Sequence, residues 1–164
     1  MGAALVCALA GGVLLRWRNG RMRSVASPEP GAPGIRPAAA AGLLTAADLG
    51  QPLGERATLV QFSSAFCAPC RATRRILAEV AGMVDGVAHV EIDAESRLDL
   101  VRRLGVLKTP TVLVTDSAGR VVKRASGQPR KPDVVAALGT AIAADSISTN
   151  PIGKDASDIS VRPA

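Results

Sequence analysis

Leu59-Val60-Gln61-Phe62-Ser63-Ser64-Ala65-Phe66-Cys67-Ala68-Pro69-Cys70-Arg71 is the stretch on which the reading of this chain turns. Residues 58–62 are a short, mostly apolar run, the pattern of a buried strand. Beyond Ala68 the period changes. Ile76, Leu77 and Val80 recur at helical spacing while Arg71, Arg74 and Arg75 turn outward, which predicts a helix over 68–83. The two cysteines fall at the join. A helix N-terminus presents unpaired N–H groups and the positive end of the macrodipole, and both stabilise a thiolate over a thiol. Cys67, just ahead of the helix, is therefore the expected nucleophile, its pKa drawn down from the value of about 8.5 of a free thiol. Cys70, one turn in, is expected to be more buried, to stay protonated and to resolve a mixed disulfide. Pro69 suits the first turn, where its missing N–H is one the helix leaves unbonded, and Arg71 adds positive charge nearby.

Working outward, residues 87–92 alternate as a second strand, 98–104 make a short helix closed by Gly105, and 111–115 with 120–125 form a hairpin around Asp116-Ser117-Ala118-Gly119. An amphipathic helix over 133–144 closes the domain. The order β-α-β-(α)-β-β-α predicts an α/β fold, a central mixed sheet flanked by helices, with its first two strands joined by a right-handed crossover.

A C-x-x-C pair has other uses. Half a zinc site needs a second pair of ligands, and the chain offers only His89 and the distant Cys7. A copper-transfer module needs Met or His beside the thiols, and none is placed for it. Three cysteines are too few for a disulfide scaffold. A static structural disulfide stays open, but an isolated C-x-x-C among strand–helix patterns favours redox exchange.

With Phe62 to Arg71, the segments Val90-Glu91-Ile92-Asp93 and Gly105-Val106-Leu107-Lys108-Thr109-Pro110-Thr111, and Gly127, the chain resembles the thioredoxin family over about residues 57–144. The resemblance implies a cis Pro110 set against the dithiol, backbone groups of Thr109 offered to an incoming peptide, and a Gly127 that lets the substrate backbone come close. It also marks departures. Phe66 stands where Trp is usual, expected to keep an apolar cover over the dithiol, and Ala68 replaces Gly. The buried acid expected in the first strand is Gln61, and the Lys it faces aligns with His89. Gln accepts no proton at neutral pH, so either His89 supplies a proton relay with Gln61 or resolution is slower. The other reading of His89 is a strand residue without chemistry.

Residues 2–15 carry no charge, and Arg16, Arg18, Arg21 and Arg23 follow. With Trp17 as an interfacial anchor the stretch comes near the shortest length that spans a bilayer, about 17 residues. Charges after the apolar run rather than before it favour an uncleaved anchor over a signal peptide. The positive-inside rule then keeps the following domain cytoplasmic, with an extracytoplasmic placement as the alternative. The expected organisation is a transmembrane anchor over 1–18, a basic then Pro/Gly/Ala-rich linker over 19–41, the domain over 42–145 and a disordered tail over 146–164. The net charge of +6 is placed in the membrane flank and on solvated helix faces, and with three aromatics in all no nucleic acid is expected as a partner.

The function expected is thiol–disulfide oxidoreduction by a monomer that needs no cofactor or metal. Its partners are protein disulfide substrates, an electron-donor protein and the membrane. The alternative is a membrane-tethered binding or chaperone-like module with little turnover. The resemblance assigns Cys67 and Cys70 to catalysis, and Phe66, Thr109, Pro110 and Gly127 to the substrate groove.

Overall fold

In the computed structural model, which describes Gly12 and residues 20–25 and 42–149, the run before the cysteines is an interior strand of a five-stranded mixed sheet. The elements are β1 (Arg23–Ser24), α1 (Ala46–Leu49), β2 (Ala57–Ser63), α2 (Ala68–Ala81), β3 (Val87–Asp93), α3 (Leu98–Arg103), β4 (Thr111–Asp116), β5 (Val121–Ser126) and α4 (Lys131–Thr149). The strands lie in the order β1-β5-β4-β2-β3. β2 runs parallel to β3, as a crossover through α2 demands, and antiparallel to β4.

Every residue of β2 is buried, because it has a strand on each side and helices over both faces. The two-residue period sorts its side chains. Leu59 points with Val112 and Val114 toward Leu77 and Val80 of α2 and Val134, Leu138 and Ala141 of α4. Val60 and Phe62 point the other way, with Val90, Ile92 and Leu113, toward Leu100 of α3 and Leu49 of α1. Gln61 shares the Leu59 face, beneath the start of α2. A capping box between Thr45 and Asp48 starts the short α1.

Two elements differ from expectation. Residues 20–25, expected within the basic linker, add β1 to the sheet edge. The Gly20 N–H donates to the Ser126 carbonyl at 2.8 Å and the Val25 N–H to Val122 at 3.1 Å, while Met22 packs on the core. The last helix runs past residue 144 to Thr149, into the stretch expected to be a disordered tail. Ala141 and Ile142 pack the preceding turn on the core, and just beyond it Ser117 hydrogen-bonds Asp145. Among the described residues no helix is long and apolar enough to cross a membrane. Apart from Gly12, the expected anchor over 1–18 lies outside the described residues, as do residues 19 and 26–41 of the linker and 150–164 of the tail.

Candidate active site

The dithiol sits where the strand-to-helix turn was expected. Cys67 is the N-cap residue of α2, with extended backbone, and its Sγ accepts the Cys70 N–H at 3.2 Å. Few cap residues offer a sulfur to that N–H; oxygen side chains are the usual acceptors. Cys67 and Cys70 are joined as a disulfide, with Cα atoms 5.2 Å apart. Cys67 is half-buried while Cys70 is 2% exposed, so an incoming group reaches the first sulfur and not the second.

Three loops converge at this end of the sheet, because Phe62, Thr111 and Ser126 are register partners on adjacent strands. The Thr109–Pro110 bond is cis, as the family resemblance implies. The hydroxyls of Ser64 and Thr109 lie 2.9 Å apart, tying the loop before Cys67 to the loop before Pro110. Gly127 donates its N–H to the Pro110 carbonyl at 2.7 Å and takes φ +97°, a left-handed value that suits glycine. The guanidinium of Arg124 donates to the carbonyls of Leu104 and Gly105, both at 2.6 Å, and so fixes the point where the chain leaves α3 for the Pro110 loop. Burial pushes the Arg124 pKa down from its usual value.

A polar layer lies beneath Cys70. Gln61 is fully buried, and its Nε2 donates to Ser63 Oγ at 2.7 Å and to the Cys70 carbonyl at 2.9 Å, with Glu91 Oε1 at 3.4 Å. Its Oε1 has no hydrogen-bond partner among the described residues. Glu91 is bound from outside by Arg74 at 2.6 Å. Partial burial disfavours the Glu91 carboxylate, but hydrogen bonds from Arg74 and Ser63 and the Arg74 charge outweigh it and hold the pKa below its usual value.

The structure does not bring the expected His89–Gln61 relay together. In the parallel register His89 stands opposite Leu59, and it is Glu91 that stands opposite Gln61. No hydrogen bond among the described residues reaches His89 Nε2. Burial, with the nearby Arg74 charge, pushes the His89 pKa down, and Glu91 offsets this in part. Phe66 also departs from expectation. It is 99% exposed, so its ring projects from the loop ahead of the N-cap and covers nothing; Cys70 is buried by its place in the first turn of α2. Leu107, 94% exposed on the Pro110 loop, is a second apolar side chain at this end. Sequence reading passed over Ser63, Ser64, Glu91, Leu107 and Arg124. Only Glu91 carried a usable signal, through the strand register. Among the described residues no group of three His, Cys, Asp or Glu side chains is placed to hold a metal ion.

The thioredoxin family model matches residues 45–140, more than half the chain and all of the dithiol and Pro110 loops. The chain belongs to the thioredoxin family. It is 31% identical over 97 residues to a thioredoxin of Alicyclobacillus acidocaldarius subsp. acidocaldarius, an overlap of 58% of this chain and 91% of the relative. Its fold matches a mutant thioredoxin from Halobacterium salinarum NRC-1, with TM-score 0.50 and 19% identity over 54% of this chain and 76% of that one. It also matches thioredoxin-2, a component of malaria parasite protein secretion machinery, with TM-score 0.50 and 14% identity over 57% and 90%. Family membership and a cysteine pair at disulfide distance make the protein a thiol–disulfide oxidoreductase. Thioredoxins act on protein disulfides, so its substrates are proteins and a second protein must return its electrons.

Proposed function

We propose that the chain is a monomeric, membrane-tethered thioredoxin-type reductase in which Cys67 attacks and Cys70 resolves. The observation that carries this reading is the asymmetry of the pair: a partly buried cysteine capping a helix, joined to one that is 2% exposed. In the reduced protein the Cys67 thiolate attacks one sulfur of a substrate disulfide. An S–S bond forms to Cys67 as the substrate S–S bond breaks, and the substrate's other sulfur leaves as a thiolate and takes a proton. Cys70 then loses its proton and attacks Cys67 Sγ, releasing the second substrate thiolate. The substrate disulfide is reduced to two thiols, the Cys67–Cys70 dithiol is oxidised to a disulfide, and a dithiol donor protein reverses that oxidation. Thr109, Pro110 and Gly127 line the groove in which the substrate backbone lies, with Phe66 at its rim.

Tethering rests on the uncharged residues 2–15 and the four arginines that follow, whose order favours the cytoplasmic side for the domain. In a reducing compartment the direction is reduction.

Insulin reduction by the domain tests the activity. Cys67→Ser is expected to abolish it, and Cys70→Ser to accumulate mixed disulfides with substrate. A parent protein that binds peptides but never reduces insulin marks a binding module instead. A compartment-sensitive reporter at the C-terminus tests the placement: a cytoplasmic signal is expected, and an extracytoplasmic one reverses the assignment.

A further inference from the structure

The strand register fixes where the N-terminal segment leaves the domain. β1 runs antiparallel to β5, so Val25 lies beside Val122 at the far end of the sheet and Gly20 beside Ser126 at the dithiol end. Ser126 pairs with Thr111, directly after Pro110, and Gly127 bonds the Pro110 carbonyl. Gly20 is pinned there: it is buried, its φ is +82°, and a Cβ on it would run into the backbone carbonyl of Gln128. From Gly20 across β5 and β4 to the end of β2 is three strand spacings, about 14 Å. The chain thus departs toward its N-terminus from the rim of the substrate groove.

Only residues 16–19 separate Gly20 from the uncharged stretch 2–15, a gap of at most about 18 Å when fully extended. If the stretch lies in a bilayer, the domain cannot stand off from it, and the end held closest carries the dithiol. The rest of that end suits an interface. Phe66 and Leu107 are almost wholly exposed apolar side chains, and Ala65, Ala68 and Pro69 beside Cys67 are exposed as well. Arg21, just ahead of the edge strand, and Arg23 on it are exposed, and anionic headgroups attract such cations.

The geometry points to a dithiol that faces the membrane surface, so that its substrates are disulfides close to the headgroups, in juxtamembrane segments of membrane proteins, rather than disulfides of freely diffusing proteins. This rests on the tethered reading above and adds to it an orientation and a substrate class. Groups held at one surface meet at an effective concentration set by the tether, so a short tether at the groove rim favours substrates of matching height.

The test uses the full chain in vesicles of phosphatidylcholine and phosphatidylglycerol carrying a headgroup quencher. One sample bears a fluorophore on Cys67, with Cys7→Ala and Cys70→Ser removing the other thiols. A second bears it on Ala118→Cys, at the exposed β4–β5 turn of the opposite end, with Cys7→Ala, Cys67→Ser and Cys70→Ser. Quenching at position 67 is expected to exceed that at 118 at least threefold. A 30-residue Gly/Ser spacer after Asn19 is expected to bring the two to within a factor of 1.5 while flotation with the vesicles persists. In single turnovers of the unlabelled, reduced chain, a disulfide peptide held at the surface by a lipid is expected to react at least fivefold faster than the same peptide on a long spacer. Equal or reversed quenching in a chain that floats overturns the orientation and leaves the tether standing. A chain that does not float overturns both, and its insulin reduction then shows whether the activity survives alone.

Discussion

Ser64 and Thr109 meet hydroxyl to hydroxyl at 2.9 Å, and through that bond the loop carrying Cys67 and the loop carrying Pro110 hold a common position. Ser64→Ala and Thr109→Val are each expected to lower the second-order rate of insulin reduction two- to tenfold, the range set by a hydrogen bond of about 0.5–1.5 kcal/mol. Because they remove one interaction, the double variant is expected to be no slower than the slower single one. Effects that multiply instead would show that the bond does not couple the loops.

Gln61 occupies the position beneath Cys70 where the family resemblance leads one to expect an acid, and it donates to the Cys70 carbonyl without being able to take the thiol proton. Glu91 is the nearest carboxylate on that face, but Arg74 and Ser63 hold its pKa low, so it is a weak base. Gln61→Asp is therefore expected to speed resolution of a Cys67 mixed disulfide tenfold or more at neutral pH, within the scope of general-base catalysis. It is also expected to lower stability, since a carboxylate replaces an amide in a fully buried place. Stopped-flow decay of a preformed mixed disulfide measures the first effect and urea unfolding the second. An unchanged decay rate would mean that proton removal does not limit the step.

Most of the fold was legible because its elements are long enough to show a period. β2, α2, β3 and the β4–β5 hairpin lie within a residue or two of where the apolar spacing places them. β1 was not, since Arg23 and Ser24 carry no pattern and are held by Gly20, Met22 and Val25 on either side. The end of α4 was hidden by composition: Ser146, Ser148 and Thr149 read as a polar tail, yet the helix continues because its preceding turn is packed on the core. At the site, Cys67 and Cys70 declare themselves by chemistry. Ser64 and Thr109, 45 residues apart, meet only through folding. Glu91 meets Gln61 through a register that either strand alone leaves undetermined.

His89 gives a pH dependence whose sign follows from its surroundings. Burial first, and the Arg74 charge with it, lower its pKa from the usual 6.5 in the folded chain. The unfolded chain then binds more protons below about pH 6.5, so stability is full above that value and falls as the pH drops toward the folded pKa. Glu91 contributes a loss of the same sign only below its usual 4.5, so the window from about 6.5 down to 5 belongs to His89. Urea midpoints between pH 7.5 and 5 are expected to decline for the parent and to decline less for His89→Gln. Parallel profiles for the two proteins would remove His89 from the account.

In the disulfide form Cys67 Sγ accepts the Cys70 N–H at the mouth of α2, and a thiolate that keeps this place on reduction is stabilised by the helix end. Its titration is expected below the 8.5 of a free thiol, while Cys70, 2% exposed, alkylates at least tenfold more slowly. Iodoacetamide rates on Cys70→Ser and Cys67→Ser, each also carrying Cys7→Ala, between pH 5 and 10 separate the two. Arg71→Glu, which reverses an exposed charge one residue beyond Cys70, is expected to raise the Cys67 midpoint and to reduce the rate at pH 7, by less in high salt. A Cys67 midpoint at 8.5 or above would remove the physical basis for its attacking role, and with it the order of the two steps.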